Sequence, residues 1–346
     1  MKKDDMLVID AVGHAIDFSD DNRVESAPKE AIADFDHYAF STFMGHLESR
    51  EPGYRLEEEQ FISRWTAEDL AHAFFVESDV DMVAMHSVLI PPLFENGCFR
   101  WDTALDFAKI APNRVLLYAG IDTFGDQKQA LEDMERRLEE GARSFKFYPS
   151  NGLFDKTTND YVTLWYDDPQ RAYPYFEKCI DLGIKTVAIH KSQPLGSLPL
   201  AKVGVKDITV AAKQYPELNF ELVHTGWMFV DEVAYMLAAF PNVYANLENV
   251  FAWLNCQPLK FAHVLGKLLS IAPADRIFFA SGCALNHPDP QLQAFIDFEM
   301  PDELRDGYGY PEVTDEIKRM ILGENYAAMH GLNLSLIHIS EPTRPY

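Results

Sequence analysis

The run SFKFYPSNG at residues 144–152 decides the fold. Its apolar segment carries one ionisable residue, Lys146, and stops at Tyr148-Pro149. Three later runs repeat the plan: KTVAIHKS at 185–192, NFELVHTG at 219–226 and NVYANLEN at 242–249. Each reads as a short strand buried on both faces, which gives a near-continuous apolar run instead of a clean alternation. Each places an ionisable residue at or near its C-terminal end. The four runs bring Lys146, His190, His224 and Glu248 to one place.

Outward from these runs the same unit recurs. MLVID at 6–10 runs into Ala11-Val12-Gly13-His14, DMVAMHSV spans 81–88, RVLLYAGID spans 114–122, and RIFFASG spans 276–282. Helical segments fall between them. Thr66 reads as a cap, with Asp69 three residues on. In residues 126–141, Ala130, Met134 and Leu138 repeat every fourth position until Gly141 stops the helix. Further helices are expected at 169–183, 206–215, 230–240, 258–271, 291–298 and 314–331. Strand and helix thus alternate eight times. Parallel strands need crossovers of this length, and eight such units close into a single (β/α)8 TIM-type barrel. A doubly wound open sheet is the rival, but no GxGxxG follows a strand. Residues 18–70 read as an insertion after strand one, partly helical, covering one mouth as a lid or forming a dimer surface. Its His37 and His46 read as surface or packing residues.

The bulk numbers bound the function. A 346-residue chain with 47% hydrophobic residues has ample length for a large core. A net charge of −24 argues against nucleic acid and against an anionic membrane surface. No apolar run approaches the roughly 20 residues of a membrane span, and the N-terminus lacks the apolar stretch of a signal peptide. The four scattered cysteines read as reduced thiols of a cytoplasmic protein. The tail from Leu334 onward, SLIHISEPTRPY after that leucine, is unlike the rest. Leu334–Arg344 back-translates to a transposase sequencing adapter read in frame. The native chain is therefore expected to depart from this sequence near Asn333, and His338 to carry no function.

A barrel of this kind places its active site at the C-terminal ends of the strands. Those ends supply His14, His86, Asp122, Lys146, His190, His224 and Glu248, with Cys283 and His287 just beyond strand eight. A single strand-end histidine is usually a hydrogen-bonded structural residue, and Asp122 or Glu248 alone could cap a helix. The succession points to a site.

These pieces resemble the amidohydrolase superfamily, in particular the branch of aminocarboxymuconate-semialdehyde decarboxylase and related hydrolases, decarboxylases and hydratases. VIDAVGH resembles that family's opening ID-x-H-x-H, and ARSFKFYPSNG its GFK segment. Ile189-His190 and VHTG at 223–226 match its strand-five and strand-six histidines. ILGENYAAMHGL at 321–332 resembles its closing helix. The resemblance covers roughly residues 6–333, and its members are often dimers, which implies a homodimer. Two usual ligand positions are lost: Val12 stands at the first strand-one histidine, and Gly282 at the strand-eight aspartate. The resemblance leaves His14 and His190 as metal ligands, with His224, Glu248 or His287 as the third.

Three readings stay open. In one, a single divalent metal, Zn or Mn, sits in a rearranged site. In another the metal is gone. His224 is then the base, Lys146 holds a substrate carboxylate, and Glu248 or Asp122 orients a histidine. In the third the barrel binds a ligand without chemistry. The expected activity is that of a hydrolase of C–N or C–O bonds, or a decarboxylase, on a small carboxylated or cyclic substrate. His86, Asp122, Trp227 and His287 are candidate substrate contacts. Cys283 with His287 is a secondary nucleophile–base pair, more readily explained as a small buried thiol.

Overall fold

The structure, a computed structural model, describes residues 6–42, 54, 56–194 and 196–333. His46 and the tail beyond Asn333 lie outside the described residues. The strands in chain order are β1 (Ile9–Gly13), β2 (Met82–His86), β3 (Val115–Gly120), β4 (Ser144–Phe147), β5 (Ser150–Asp155), β6 (Asp160–Thr163), β7 (Thr186–His190), β8 (Asn219–Val223), β9 (Val243–Asn246) and β10 (Ile277–Phe278). β1–β4 and β7–β10 pair in succession, all parallel, in one eight-stranded sheet. Its two edges meet. Ala11 N donates to Phe279 O at 3.0 Å, Gly282 N donates to Val12 O at 3.1 Å, and Gly13 bridges Cys283 in parallel. The sheet is a nearly closed barrel, as the alternating pattern predicts.

Strand parity separates two cores. Successive side chains point to opposite faces of a sheet. Phe145 and Phe147 pack outward with Val187, Ile189, Phe220 and Leu222, in the layer beneath the helices. Ala84, Leu116, Tyr118, Ala188 and Val223 fill the barrel interior. Lys146 therefore sits on the inward parity, between two outward phenylalanines.

Local signals place the helices. Thr66 and Asp69 form a reciprocal capping box on helix Ala67–Phe75, and Asp126 caps helix Gln127–Glu139. Two connections go beyond the sequence reading. A helix, Trp101–Ile110, joins β2 to β3, and β5 and β6 form an antiparallel hairpin after β4. The expected closing helix at 314–331 is three pieces: Asp315–Arg319, a π-turn at Met320–Glu324, and Asn325–His330. The π-turn has a physical cause. It frees the Ile321 carbonyl to accept Phe279 N–H at 2.9 Å, which takes the place of a strand partner beyond the short β10. Among the described residues, no helix is long and apolar enough to cross a membrane.

Gly13 sets the seat of β1. A Cβ there would lie 2.7 Å from both Met85 Sδ and Phe74 Cζ, and 2.9 Å from Val83 Cγ2. Gly13→Ala is expected to destabilise the fold by about 1–3 kcal/mol through overpacking, measured as a lower chemical denaturation midpoint. An unchanged midpoint would show that β1 has slack.

Candidate functional site

The strand ends converge. His14 follows β1, His190 ends β7, His224 follows β8, and Glu248 lies just beyond β9. All four line one cavity of about 50 Å³, walled by Phe18, Phe35, Tyr38, Phe99 and Tyr148. That is room for one or two waters. Phe35 and Tyr38 belong to helix Lys29–Phe40, so the segment inserted after β1 closes the mouth. Phe99 stacks on His14 at 3.9 Å between ring centres, and Tyr148 on His190 at 4.6 Å. Lys146 lines an adjoining space of about 20 Å³ with Asp122 and Tyr148. Tyr148, Val88 and Ile90 are common to both spaces.

Hydrogen-bond polarity fixes the ring tautomers. His190 Nε2 lies 2.6 Å from the main-chain carbonyl of Gln193, which can only accept, so Nε2 carries the proton. Burial pushes the pKa values of both His190 and His224 well below the ordinary imidazole value, so both rings are neutral. His190 Nδ1 is then a lone pair, and it accepts from His224 Nε2–H at 2.9 Å. His224 Nδ1 in turn is a lone pair. It faces Glu248 Oε2 at 3.4 Å, with Asn249 Nδ2 also 3.4 Å away.

The same logic holds at His14. Its Nδ1 meets the His86 carbonyl at 3.0 Å and must donate. Its Nε2 lies 2.9 Å from Glu248 Oε1. The Glu248 carboxylate thus faces two imidazole nitrogens, His14 Nε2 and His224 Nδ1. A proton or a cation has to lie in the set. Among the described residues, no three His, Cys, Asp or Glu side chains already surround one point. The donors run in line, His14 to Glu248 to His224.

Gly282 makes room for Glu248. A Cβ at this position would lie 3.2 Å from Glu248 Oε1 and 3.0 Å from Asn249 Oδ1. The carboxylate comes from β9 into space that a strand-eight side chain would fill. Backbone strain aims these groups. Ser192, His224 and Asn249 all have φ between +66 and +70. Such left-handed residues cost about 1–2 kcal/mol each and recur at functional sites.

Beneath lies a second buried layer. Lys146 Nζ has no hydrogen-bond partner, and neither ring nitrogen of His86 has one. Burial pushes Lys146 down to about 8, against the opposing pull of the Glu248 and Glu221 carboxylates. Burial raises Glu221 to about 7, although Asn246 Nδ2 donates to it at 2.6 Å. Asp10 joins the barrel's first and last strand ends, accepting from Ser281 N at 2.9 Å, and burial raises it to about 7.

Other sequence-predicted residues lie elsewhere. Asp122 accepts from Phe124 N and Gly125 N in a local turn. Trp227 packs against Trp253 at 5.1 Å and does not line the cavity. His287 caps helix Pro288–Ile296 through Nδ1 and meets Glu77 through Nε2, so neither nitrogen serves Cys283. The Cys283 thiol is buried, which raises its pKa. Gln193, Asn249 and Tyr38 were not anticipated. Asn249 adjoins Glu248 in NLEN, which is a weak signal; Gln193 and Tyr38 carry none.

A family profile described as Amidohydrolase matches residues 22–332. A curated relative, Protein fluG of Emericella nidulans, is 26% identical over 97 residues, 28% of this chain and 11% of that protein. The matched segment therefore spans about a tenth of that relative's length. Among solved structures, an uncharacterized TIM-barrel protein of Bordetella bronchiseptica aligns with a TM-score of 0.65 at 16% identity, over 94% of this chain and 100% of that one. A 5-carboxyvanillate decarboxylase of Novosphingobium aromaticivorans, solved with bound manganese, gives 0.57 at 12% identity, over 95% and 98%. These two likenesses show the shared fold. The profile covers most of the chain, from the covering insertion to the closing helix, and the chain belongs to the amidohydrolase family.

Proposed function

We propose that the chain is a hydrolase or decarboxylase of this family, acting on a small carboxylated or cyclic substrate at the barrel mouth. One observation carries the reading. Glu248 lies 2.9 Å from His14 Nε2 and 3.4 Å from His224 Nδ1, buried under a covering helix. Such a set is costly to keep unless it holds a proton or cation for chemistry.

The donor chemistry fits one divalent cation, zinc or manganese. Two imidazole nitrogens and a carboxylate would make a three-ligand site with an open position. His14, His224 and Glu248 would hold it, once the Glu248 carboxylate turns off His14. A bound cation would supply Lewis-acid polarisation of the substrate. His190 would support the site without ligating, because both its nitrogens are taken within the protein. The manganese in the decarboxylase of similar fold supports this choice of metal.

The chain's own residues do the rest. In the metal-free alternative, His224, held neutral by burial, presents Nδ1 to accept a proton. Lys146 is mostly an ammonium at neutral pH, with no internal partner, and suits a substrate carboxylate. His86, free at both nitrogens, lies in the same interior layer. The stacked rings of Phe99 and Tyr148 suit a flat substrate. Such a substrate exceeds the present space, so entry requires helix Lys29–Phe40 to move.

Purified protein is expected to carry about one equivalent of zinc or manganese, measured by elemental analysis and lost in Glu248→Gln. Turnover on a panel of amides, lactones and aromatic carboxylates should fall at least about 100-fold in His224→Ala, with the melting temperature held. A folded, metal-loaded protein silent on the whole panel would favour a ligand-binding barrel. The pH dependence has a fixed sign. Lys146 is charged below about 8, so KM for a carboxylate substrate should rise as pH passes upward through that value. In Lys146→Met, KM should be high and flat; a wild-type KM flat to pH 9 (about one unit above that value) would remove Lys146 from the carboxylate site.

A further inference from the structure

Three phenylalanines, Phe18, Phe35 and Phe99, and two tyrosines, Tyr38 and Tyr148, wall the cavity. The hydroxyl of Tyr38 accepts from Gln193 Nε2 at 2.8 Å. That of Tyr148 makes no hydrogen bond to any described residue. Every other polar side chain lining the cavity has a partner within the protein. His14 meets Glu248, His190 meets His224, Gln193 meets Asn249, and the Cys98 thiol meets the Val88 carbonyl. Among the described residues, Tyr148 is thus the one polar group of the cavity that an occupant alone can satisfy.

Local structure holds its ring still. Tyr148 lies one residue beyond β4 and two past Lys146, on the same side by alternation. It precedes Pro149, which confines its backbone to extended angles. Leu164 N donates to Pro149 O at 2.8 Å and pins the turn. The ring stacks on His190 at 4.6 Å between centres, and Lys146 Nζ lies 5.8 Å from its centre. The same ring lines the histidine cavity and the Lys146 space. Its hydroxyl is within electrostatic range of Glu248 and Tyr38, both in the histidine cavity. Packing does not explain that oxygen. A phenylalanine would stack as well and leave no hydroxyl to desolvate.

We propose that Tyr148 is a catalytic residue whose hydroxyl donates a hydrogen bond to the substrate oxygen on which negative charge grows during the reaction. The inference rests on the reading of this cavity as the reaction site. A donor fixed in advance and aimed at developing charge stabilises the transition state more than the ground state. Lys146 and Tyr148 then serve two parts of one substrate. The ammonium holds the carboxylate, and the phenol meets the reacting end. No bond breaks at Tyr148, because a phenol keeps its proton at neutral pH.

Tyr148→Phe keeps the ring and its stack on His190 and removes the hydroxyl alone. Calorimetry on the full chain as purified compares two probes. In 3-phosphonopropanoate a carboxylate is joined to a tetrahedral phosphonate, which has the shape and oxygen charge of a carbonyl under attack. Succinate ends in a planar carboxylate instead. The wild type is expected to bind both. Tyr148→Phe is expected to weaken the phosphonate at least about 10-fold and succinate less than about 3-fold. On any member of the substrate panel that turns over, kcat should fall about 100-fold with KM within about 3-fold of wild type. Phosphonate binding unchanged in Tyr148→Phe, or both probes weakened equally, would overturn the role of Tyr148 and leave the proposed function standing. A wild type that binds neither probe would overturn the reading of the site and the role with it. Should Tyr148→Phe fail to fold, replacement of Tyr148 by 3-fluorotyrosine, a stronger donor of nearly the same size, decides at about pH 6, where the phenol is protonated. Tighter phosphonate binding supports the role, and unchanged binding overturns it.

Discussion

The contact between His14 Nε2 and Glu248 Oε1 at 2.9 Å is the constraint on which the site turns. Nitrogen and oxygen at that distance attract only if a hydrogen or a cation lies between them. The His86 carbonyl holds the His14 proton on the other nitrogen. Glu248 also faces His224 Nδ1 at 3.4 Å, so one carboxylate links two histidines from different strands.

Much of the architecture serves to hold those acceptors in a dry place. Gly282 has no side chain where the Glu248 carboxylate must lie. His224 and Asn249 both adopt left-handed backbone where they line the cavity. Helix Lys29–Phe40 shuts the cavity and ties itself to the histidines through Tyr38 and Gln193. The interior layer below holds Lys146 and Glu221, whose pKa values burial brings close together, to about 8 and about 7. A barrel filled only with apolar layers would be more stable, and the polar layer is the part of the interior that stability does not explain.

The barrel was legible from parity and punctuation. Phe145-Lys146-Phe147 and Ile189-His190 show which residue faces the axis once eight apolar runs are seen to alternate with helices. Thr66 and Asp69 announced a cap that the structure shows as a reciprocal box. The two missing ligand positions, Val12 and Gly282, were also visible. Trp227 was misjudged because its place beside HTG says nothing about which way the chain turns after His224. The hairpin of β5 and β6 was missed because its strands are short and only partly buried, without an apolar rhythm to betray them.

What the sequence determined by itself was the order of strands and the identity of the ionisable group at each end, because side-chain alternation and helix spacing are local properties. Only the tertiary structure decided which of those groups meet and in which protonation state. Gln193, far along the chain from Tyr38 and from Asn249, sets the polarity of His190 and His224 through a main-chain oxygen. That oxygen is common to every residue type, so its role has no signature in sequence. The partnership of His14 with Glu248 spans a separation of 234 residues, and it exists because barrel closure brings the end of the first strand within reach of the loop after the next-to-last.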